Sequence, residues 1–265
     1  MYGLVSEVTR LGPTYVRIAL EGDGLEGFEP NGATDAYVNV AIPPLDAPYE
    51  PPFDLDELKE LPREQRPFRR RYTVRRWIPE TRTLWLEFSV HDVTGSGGRW
   101  ASEAKPGDAL VFTGPAGSYR PDPEADWHLM IGDESALPAI GASLEAVPAG
   151  VPVAVRVVVD GPADEIELSS TGDLDLRWLH REDGADGVDA LADAVRDIDA
   201  PSGRAQPFVH GEAEETRAVR RHLLADRAMA PEDLSCSPYW KRGMTDEEWR
   251  QIKGAWVAEM NAEQG

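Results

Sequence analysis

From Thr83 to His91 apolar and polar residues alternate. Leu84, Leu86, Phe88 and Val90 point one way; Trp85, Glu87, Ser89 and His91 point the other. That is the period of a strand with one buried face. Val5 to Ala19 carries a similar β-branched alternation around a turn at Gly12-Pro13, and Ala36 to Ile42 reads as a strand stopped by Pro43-Pro44. Arg70 to Ile78, ended by Pro79, and Ala109 to Thr113 add two more. Short strands separated by turn signals predict a small antiparallel barrel. Residues 43–68 are rich in proline and acid and predict a long loop with one short helical turn.

The second half follows a different rhythm. Trp127 to Ile131 is an apolar strand, Gly132-Asp133-Glu134-Ser135 a loop, and Ala136 to Val147 a helix with Pro138 in its first turn. Val151 to Val159 is a valine run broken only by Pro152, Ala154 and Arg156, as expected of a strand covered on both faces. Strands at Leu174–His180 and Phe208–His210 alternate with helices at Val188–Ile198 and Glu212–Leu224. This βαβ order predicts a parallel sheet clothed by helices. Thr245-Asp246-Glu247-Glu248 is a capping box. Trp249, Ile252, Trp256, Val257 and Met260 follow at helical spacing, so a docked terminal helix is expected. The change of grammar near Arg120-Pro121-Asp122-Pro123-Glu124-Ala125 divides the chain into domains at 1–122 and 123–265.

Composition narrows the class. The 265 residues carry a formal net charge of -21. Most of the excess lies in residues 125–265, which hold 28 acids against 13 Lys and Arg. Such a surface repels nucleic acid. No apolar run is long enough to span a bilayer, and the first residues lack the basic and apolar regions of a signal peptide. The single cysteine, Cys236, excludes an internal disulfide. A cytoplasmic protein, without membrane or nucleic-acid partner, is the expectation. No histidine or cysteine cluster has ligand spacing, so no protein metal site is expected.

Against that acidity, residues 66–77 hold six arginines and no acid. Guanidinium groups bind phosphates through forked, charge-assisted hydrogen bonds. Tyr72 and Thr73, set among them, add a stacking ring and a hydroxyl. A phosphorylated aromatic cofactor suits such a strand; a solvated strand face is the plainer alternative. In the second half, ligands of a parallel sheet belong at the carboxyl ends of its strands. Gly132-Asp133-Glu134-Ser135-Ala136 and Gly211-Glu212 lie at two such ends.

A barrel followed by a parallel α/β domain is the arrangement of flavin-dependent reductases, and the motifs resemble one family of them. Arg70-Arg71-Tyr72-Thr73-Val74-Arg75 is similar to the flavin motif of siderophore-interacting proteins, the FAD-dependent ferric-siderophore reductases of the ferredoxin-reductase-like superfamily. The resemblance extends through His91-Asp92, Gly97-Gly98-Arg99-Trp100-Ala101, Pro106-Gly107-Asp108, Gly114-Pro115, Gly132 to Ile140, Gly211-Glu212-Ala213 and Tyr239 to Gly243. It implies an N-terminal FAD-binding barrel and a C-terminal nicotinamide-binding-like domain in a monomer. It further implies that Arg70 binds a flavin phosphate, Tyr72 stacks on the isoalloxazine, and Thr73 hydrogen-bonds near its N5. His91 would reach the ribityl or phosphate side. Gly97, Gly98, Arg99, Trp100 and Ala101 would open a short helix toward the pyrophosphate. Here the segment reads Gly-Ser-Gly-Gly-Arg-Trp-Ala, where the family more often has Gly-Pro-Ala-Ser-x-Trp-Ala. The backbone role survives that change. Asp133, Glu134, Ser135, Ala136, Gly211, Glu212, Tyr239 and Trp240 complete the implied cofactor set. The long Gly-x-Gly-x-x-Gly fingerprint is absent, which fits transient docking of NADH or NADPH better than a tightly held dinucleotide.

The resemblance implies reduction of ferric siderophores, with electrons from NAD(P)H or ferredoxin passing through FAD to the iron. Many ferric siderophores are anionic, and Arg75, Arg76, Lys241 and Arg242 are the expected substrate contacts. Asp160, after the second strand of the α/β domain, leans toward the 2′-hydroxyl of NADH. A general flavin or electron-transfer reductase on the same scaffold, or a carrier of flavin or siderophore without turnover, are the alternatives.

Overall fold

A computed structural model describes residues 1–90 and 96–263. The chain divides into two compact units, Met1–Arg120 and Pro121–Gly265.

The first unit is a closed antiparallel barrel of six strands: β1 (Tyr2–Arg10), β2 (Tyr15–Glu21), β3 (Tyr37–Ile42), β4 (Phe68–Ile78), β5 (Thr83–Ser89) and β6 (Ala109–Ala116). Around the barrel the order is β1-β2-β5-β4-β3-β6. The alternating stretch Val5 to Ala19 is thus a hairpin of two strands. The inward positions are apolar and sealed: Ile18, Leu20, Val38, Val40, Leu84, Leu86, Phe88 and Phe112 show no exposure. Each such side chain contributes roughly 1.5–3 kcal/mol through burial, and closure removes the open edges of the sheet. The proline- and acid-rich connection contains two short helical turns, Glu57–Glu60 and Arg63–Gln65, one more than its pattern predicts. Helix α1 (Ser96–Glu103) follows β5.

Strand β4 carries the arginines, and a bulge shapes it. Val74 pairs with Leu86, but the next pair is Arg76 with Trp85, leaving Arg75 as the extra residue. Val74 and Trp77 therefore both meet the core, while Arg75 and Arg76 both lie on the outer side.

The second unit is a five-stranded parallel sheet in the order β11-β10-β7-β8-β9. Its strands are β7 (Trp127–Asp133), β8 (Pro152–Val159), β9 (Asp173–His180), β10 (Ala205–Glu212) and β11 (Ser235–Trp240). Helices α2 (Leu137–Leu144), α3 (Ala190–Arg196), α4 (Ala213–Arg221) and α5 (Asp246–Ala262) accompany them. Every residue of β7 is buried. In β8 the one charged residue, Arg156, is buried too; it donates to the Val155 and Asp175 carbonyls and pairs with the Asp175 carboxylate at 2.7 Å. Gly132 and Asp133 belong to β7 rather than to a loop. The helix expected over Glu212–Leu224 ends at Arg221 and continues as a π turn over His222–Asp226.

β11 escapes the sequence pattern because Ser-Cys-Ser-Pro-Tyr-Trp does not alternate and contains Pro238. It is an edge strand, where a residue without an N–H is tolerated. On α5 the Thr245/Glu248 capping box is complete. Trp249, Trp256 and Met260 are buried as their spacing predicts, whereas Ile252 faces solvent. No described helix is long and apolar enough to cross a membrane.

Candidate functional site

In the barrel, Arg70 and Tyr72 alternate along β4 with the buried Thr73, which lies opposite Tyr37 of β3. The Tyr72 ring packs on Phe88, centroids 4.0 Å apart, and Phe88 meets Trp100 of α1 at 5.6 Å. Gly97 in the first turn of α1 makes this packing possible: a Cβ there would lie 1.8 Å from the Tyr72 hydroxyl. Gly98 and Ala101 are buried behind it, and Arg99 is half-buried. At the head of the helix the Ser96 hydroxyl is buried with no hydrogen-bond partner among the described residues. A helix start with close-packed glycines and an orphaned hydroxyl fits a phosphate group. The half-buried Tyr72 ring and the Arg70 guanidinium on the same strand fit the rest of FAD. His91, assigned to the same cofactor, lies outside the described residues.

Every arginine of the island, Arg70 included, has a partner in the first unit: Arg70 donates to the Arg69 carbonyl at 3.0 Å and lies over the Phe68 ring. Arg66 donates to the Leu61 carbonyl at 2.7 Å. Arg69 ties β4 to β3 and β6 through the Asn39 carbonyl and the Thr113 hydroxyl, at 3.0 and 2.6 Å. Arg71 lies over Tyr37. Arg75 approaches the buried Glu87 at 3.8 Å, and Arg17 takes the same carboxylate oxygen at 2.6 Å. Arg76 and Arg17 both stack on Trp85, 5.2 and 4.7 Å from the ring centre. Of the two proposed substrate arginines here, Arg76 is exposed and Arg75 is half-buried.

In the second unit, the carboxyl ends of β7, β10 and β11 meet at Asp133, which has no exposed surface. One of its oxygens accepts the Ser135 backbone N–H, at 2.8 Å, and hydroxyl. The other accepts the Glu212 N–H at 2.7 Å and the Trp240 indole at 2.8 Å. Gly211 (φ 143°) lets the carboxylate this close, since a Cβ would sit 2.7 Å from it. Ala136, fully buried, donates its N–H to the Asp133 carbonyl. Glu212 caps α4, accepting the N–H groups of Glu214 and Glu215 and, with its other oxygen, that of Arg242 at 2.9 Å. The sequence-predicted Asp133, Ser135, Ala136, Gly211, Glu212, Trp240 and Arg242 thus form one connected network.

Glu134 stands beside it in a forked pair with Arg181, at 2.8 and 3.1 Å. Arg181 also holds Asp160 at 2.8 Å. Burial, reinforced by Asp133, raises the Glu134 pKa, and Arg181 offsets part of the rise. Burial opposes the charge on Arg181, but Glu134 and Asp160 outweigh it and raise its pKa. Tyr239 stands beside the network, next to Trp240. Its hydroxyl meets the Nδ1 of the buried His210 at 2.9 Å, and Ser235 takes Nε2 at 2.9 Å. Burial, with Lys253 adding to it, pushes the His210 pKa down to about 3, so the ring is neutral. Lys241 pairs with Glu214 and Arg242 with Glu215.

Sequence reasoning missed Arg181, His210, Glu214 and Glu215. Arg181 follows the last residue of β9 directly, and the strand predicted at Leu174–His180 already ends there, so the rule for strand ends could have marked it. Glu214 and Glu215 occupy the first helical turn, where acids are ordinary, and nothing in spacing sets them apart. Among the described residues no group of histidine, cysteine and acid side chains could hold a metal.

The comparisons fall on the same two units. Residues 4–119 match the model of the siderophore-interacting FAD-binding domain, and residues 125–243 that of the siderophore-interacting protein. The ferric vibriobactin reductase ViuB of Vibrio cholerae is 34% identical over 89% of this chain and 87% of its own. An NADPH-dependent ferric-chelate reductase of Escherichia coli is 30% identical over 89% and 91%. The crystal structure of a siderophore utilization protein from T. fusca superposes with a TM-score of 0.79 at 33% identity, covering 93% of this chain and 94% of that one. With both units matched and relatives aligned over nearly their whole length, the chain belongs to the siderophore-interacting protein family.

Proposed function

We propose that the protein is an FAD-dependent ferric-siderophore reductase fed by NAD(P)H or ferredoxin. The observation that carries this reading is the seat at the head of α1, where Tyr72 lies against Gly97 and the buried Ser96 hydroxyl has no hydrogen-bond partner among the described residues. Arg70 would neutralise a phosphate, Tyr72 would offer its ring to the isoalloxazine, and Thr73 would present a hydroxyl beside it. The backbone from Gly97 to Ala101 would face the pyrophosphate, with His91 completing the set. When bound there, FAD would supply two-electron uptake and one-electron release toward ferric iron. The iron is substrate, and its ferrous form binds hard oxygen ligands less strongly. The names of the Vibrio cholerae and Escherichia coli relatives point to the same reaction class.

The nicotinamide donor would dock at the carboxyl ends of β7, β10 and β11, against Glu134, Ser135, Tyr239 and Trp240. Two observations pull apart on its identity. The Escherichia coli relative is NADPH-dependent by name. Here the cation at the end of β9, Arg181, is already held by Glu134 and Asp160, which disfavours a 2′-phosphate. The second concerns this chain's own residues, and on it we expect NADH to reduce the flavin faster than NADPH does. Arg75, Arg76, Lys241 and Arg242 are proposed contacts for an anionic ferric siderophore.

The test is anaerobic stopped-flow mixing of the reduced, FAD-loaded protein with ferric catecholate and ferric hydroxamate siderophores. Flavin reoxidation should quicken with ferric siderophore concentration. Equal reoxidation with the iron-free ligands would refute the assignment. Reduction of free flavin that ignores iron chelates would favour a general flavin reductase instead.

A further inference from the structure

Glu215 lies in the first turn of α4 with 2% of its surface exposed. One carboxyl oxygen meets Nη2 of Arg242 at 2.8 Å; the other is buried without a hydrogen-bond partner among the described residues. Charged groups face it from several elements: Asp133 from β7, Glu212 from β10, Arg181 beyond β9 and Arg242 beyond β11. Two acids thus raise the cost of its charge while two cations offset part of it. An orphaned buried oxygen is expensive on a carboxylate and tolerable on a carboxylic acid.

Arg242 is built to leave. Its side chain is 46% exposed. Apart from Glu215, its guanidinium donates to the Asp186 carbonyl at 2.6 Å, and its backbone is held separately by Glu212. Glu215 is therefore its ionic anchor among the described residues.

We infer that Glu215 positions Arg242 by proton exchange: a proton on Glu215 frees the guanidinium for an anionic ligand, and loss of that proton draws it back. The inference rests on the proposed role of Arg242 as an anion contact. Burial first, then Asp133 and Glu212, push the Glu215 carboxyl up to about 8, with Arg181 and Arg242 offsetting part. The sign follows. Below that pH Glu215 is neutral and Arg242 is available; above it Glu215 is charged and competes with the ligand.

The probe is ferric diethylenetriaminepentaacetate, an anionic chelate, titrated into the FAD-loaded full chain from about pH 6.5 to about pH 9.5. The wild-type Kd should weaken on the order of tenfold, one charge-assisted contact, across that range. Glu215→Gln should hold the tighter value throughout, and Arg242→Gln the weaker one. An uncharged ferric trihydroxamate should show no such dependence. Identical pH profiles for wild type and Glu215→Gln would overturn the inference. Should the chelate bind Arg242→Gln as it binds wild type, Arg242 is no anion contact and that part of the proposed function fails. The proton exchange is then decided without ligand, by carbon-13 NMR of the Glu215 carboxyl. Titration near 8, moving upward in Arg242→Gln, is expected. Titration with the ordinary carboxylates would overturn it.

Discussion

Gly97 and Asp133 show how much one atom governs at each candidate site. A methyl group at Gly97 would press on the Tyr72 hydroxyl, and Tyr72 cannot swing far because its ring packs on Phe88. Overpacking of this kind costs about 1–3 kcal/mol. Gly97→Ala should therefore weaken FAD binding on the order of tenfold or more while leaving the barrel folded; flavin absorbance per protein and far-UV circular dichroism report the two. Asp133→Asn tests the other site. An NH2 group in place of one carboxylate oxygen turns a donor toward two donors, whether toward Ser135 or toward Glu212 and Trp240. We expect destabilisation of the second unit by roughly 3–5 kcal/mol, read by urea unfolding. The sequence motif marked Asp133 as a site residue, but not that the chain itself would give its carboxylate four hydrogen bonds. That follows from three strands converging, which only the folded sheet reveals.

Elements were legible where period and punctuation agreed. Strands β5 and β8, helix α5 and its cap all follow from spacing that sterics enforce. β11 did not, since an edge strand needs neither alternation nor a full set of donors. The β4 bulge was equally hidden: a two-residue period gives no warning that Arg75 and Arg76 will share a side. The arginine island divides accordingly. Arg70, Tyr72 and Thr73 keep the roles their motif implied as proposals, while Arg66, Arg69 and Arg71, which no motif explained, turn out to bind the barrel's own carbonyls, hydroxyl and ring. At this scale α5 makes a simple prediction. Thr245→Ala removes the hydroxyl that accepts from Glu248 N–H and should lower the stability of the second unit by about 1 kcal/mol. Thermal unfolding should register the loss, and flavin content should not change.

On the scale of the molecule, two buried titrating groups bend the stability of the second unit in opposite directions with pH. His210 has its pKa depressed from 6.5 to about 3. Its contribution is complete above 6.5 and is lost as pH falls through 3. Glu215 has its pKa raised from 4.5 to about 8, so its contribution is complete below 4.5 and is lost as pH rises through 8. Stability from this pair should peak between 4.5 and 6.5. Urea midpoints across pH should show the alkaline decline flattened in Glu215→Gln and the acid decline flattened in His210→Gln. An unaltered alkaline slope in Glu215→Gln would mean that this carboxyl ionises like any other.

Because Asp133 ties the ends of β7, β10 and β11 to one carboxylate, none of the three can open alone without stranding a buried charge. The Glu212 amide should then exchange its hydrogen for deuterium only when the whole sheet opens, at a rate shared with the Met130 and Val209 amides of the sheet interior. The proposed docking edge would be among the last parts of the second unit to breathe, so that specificity there is set by rigid placement rather than by closure around the ligand.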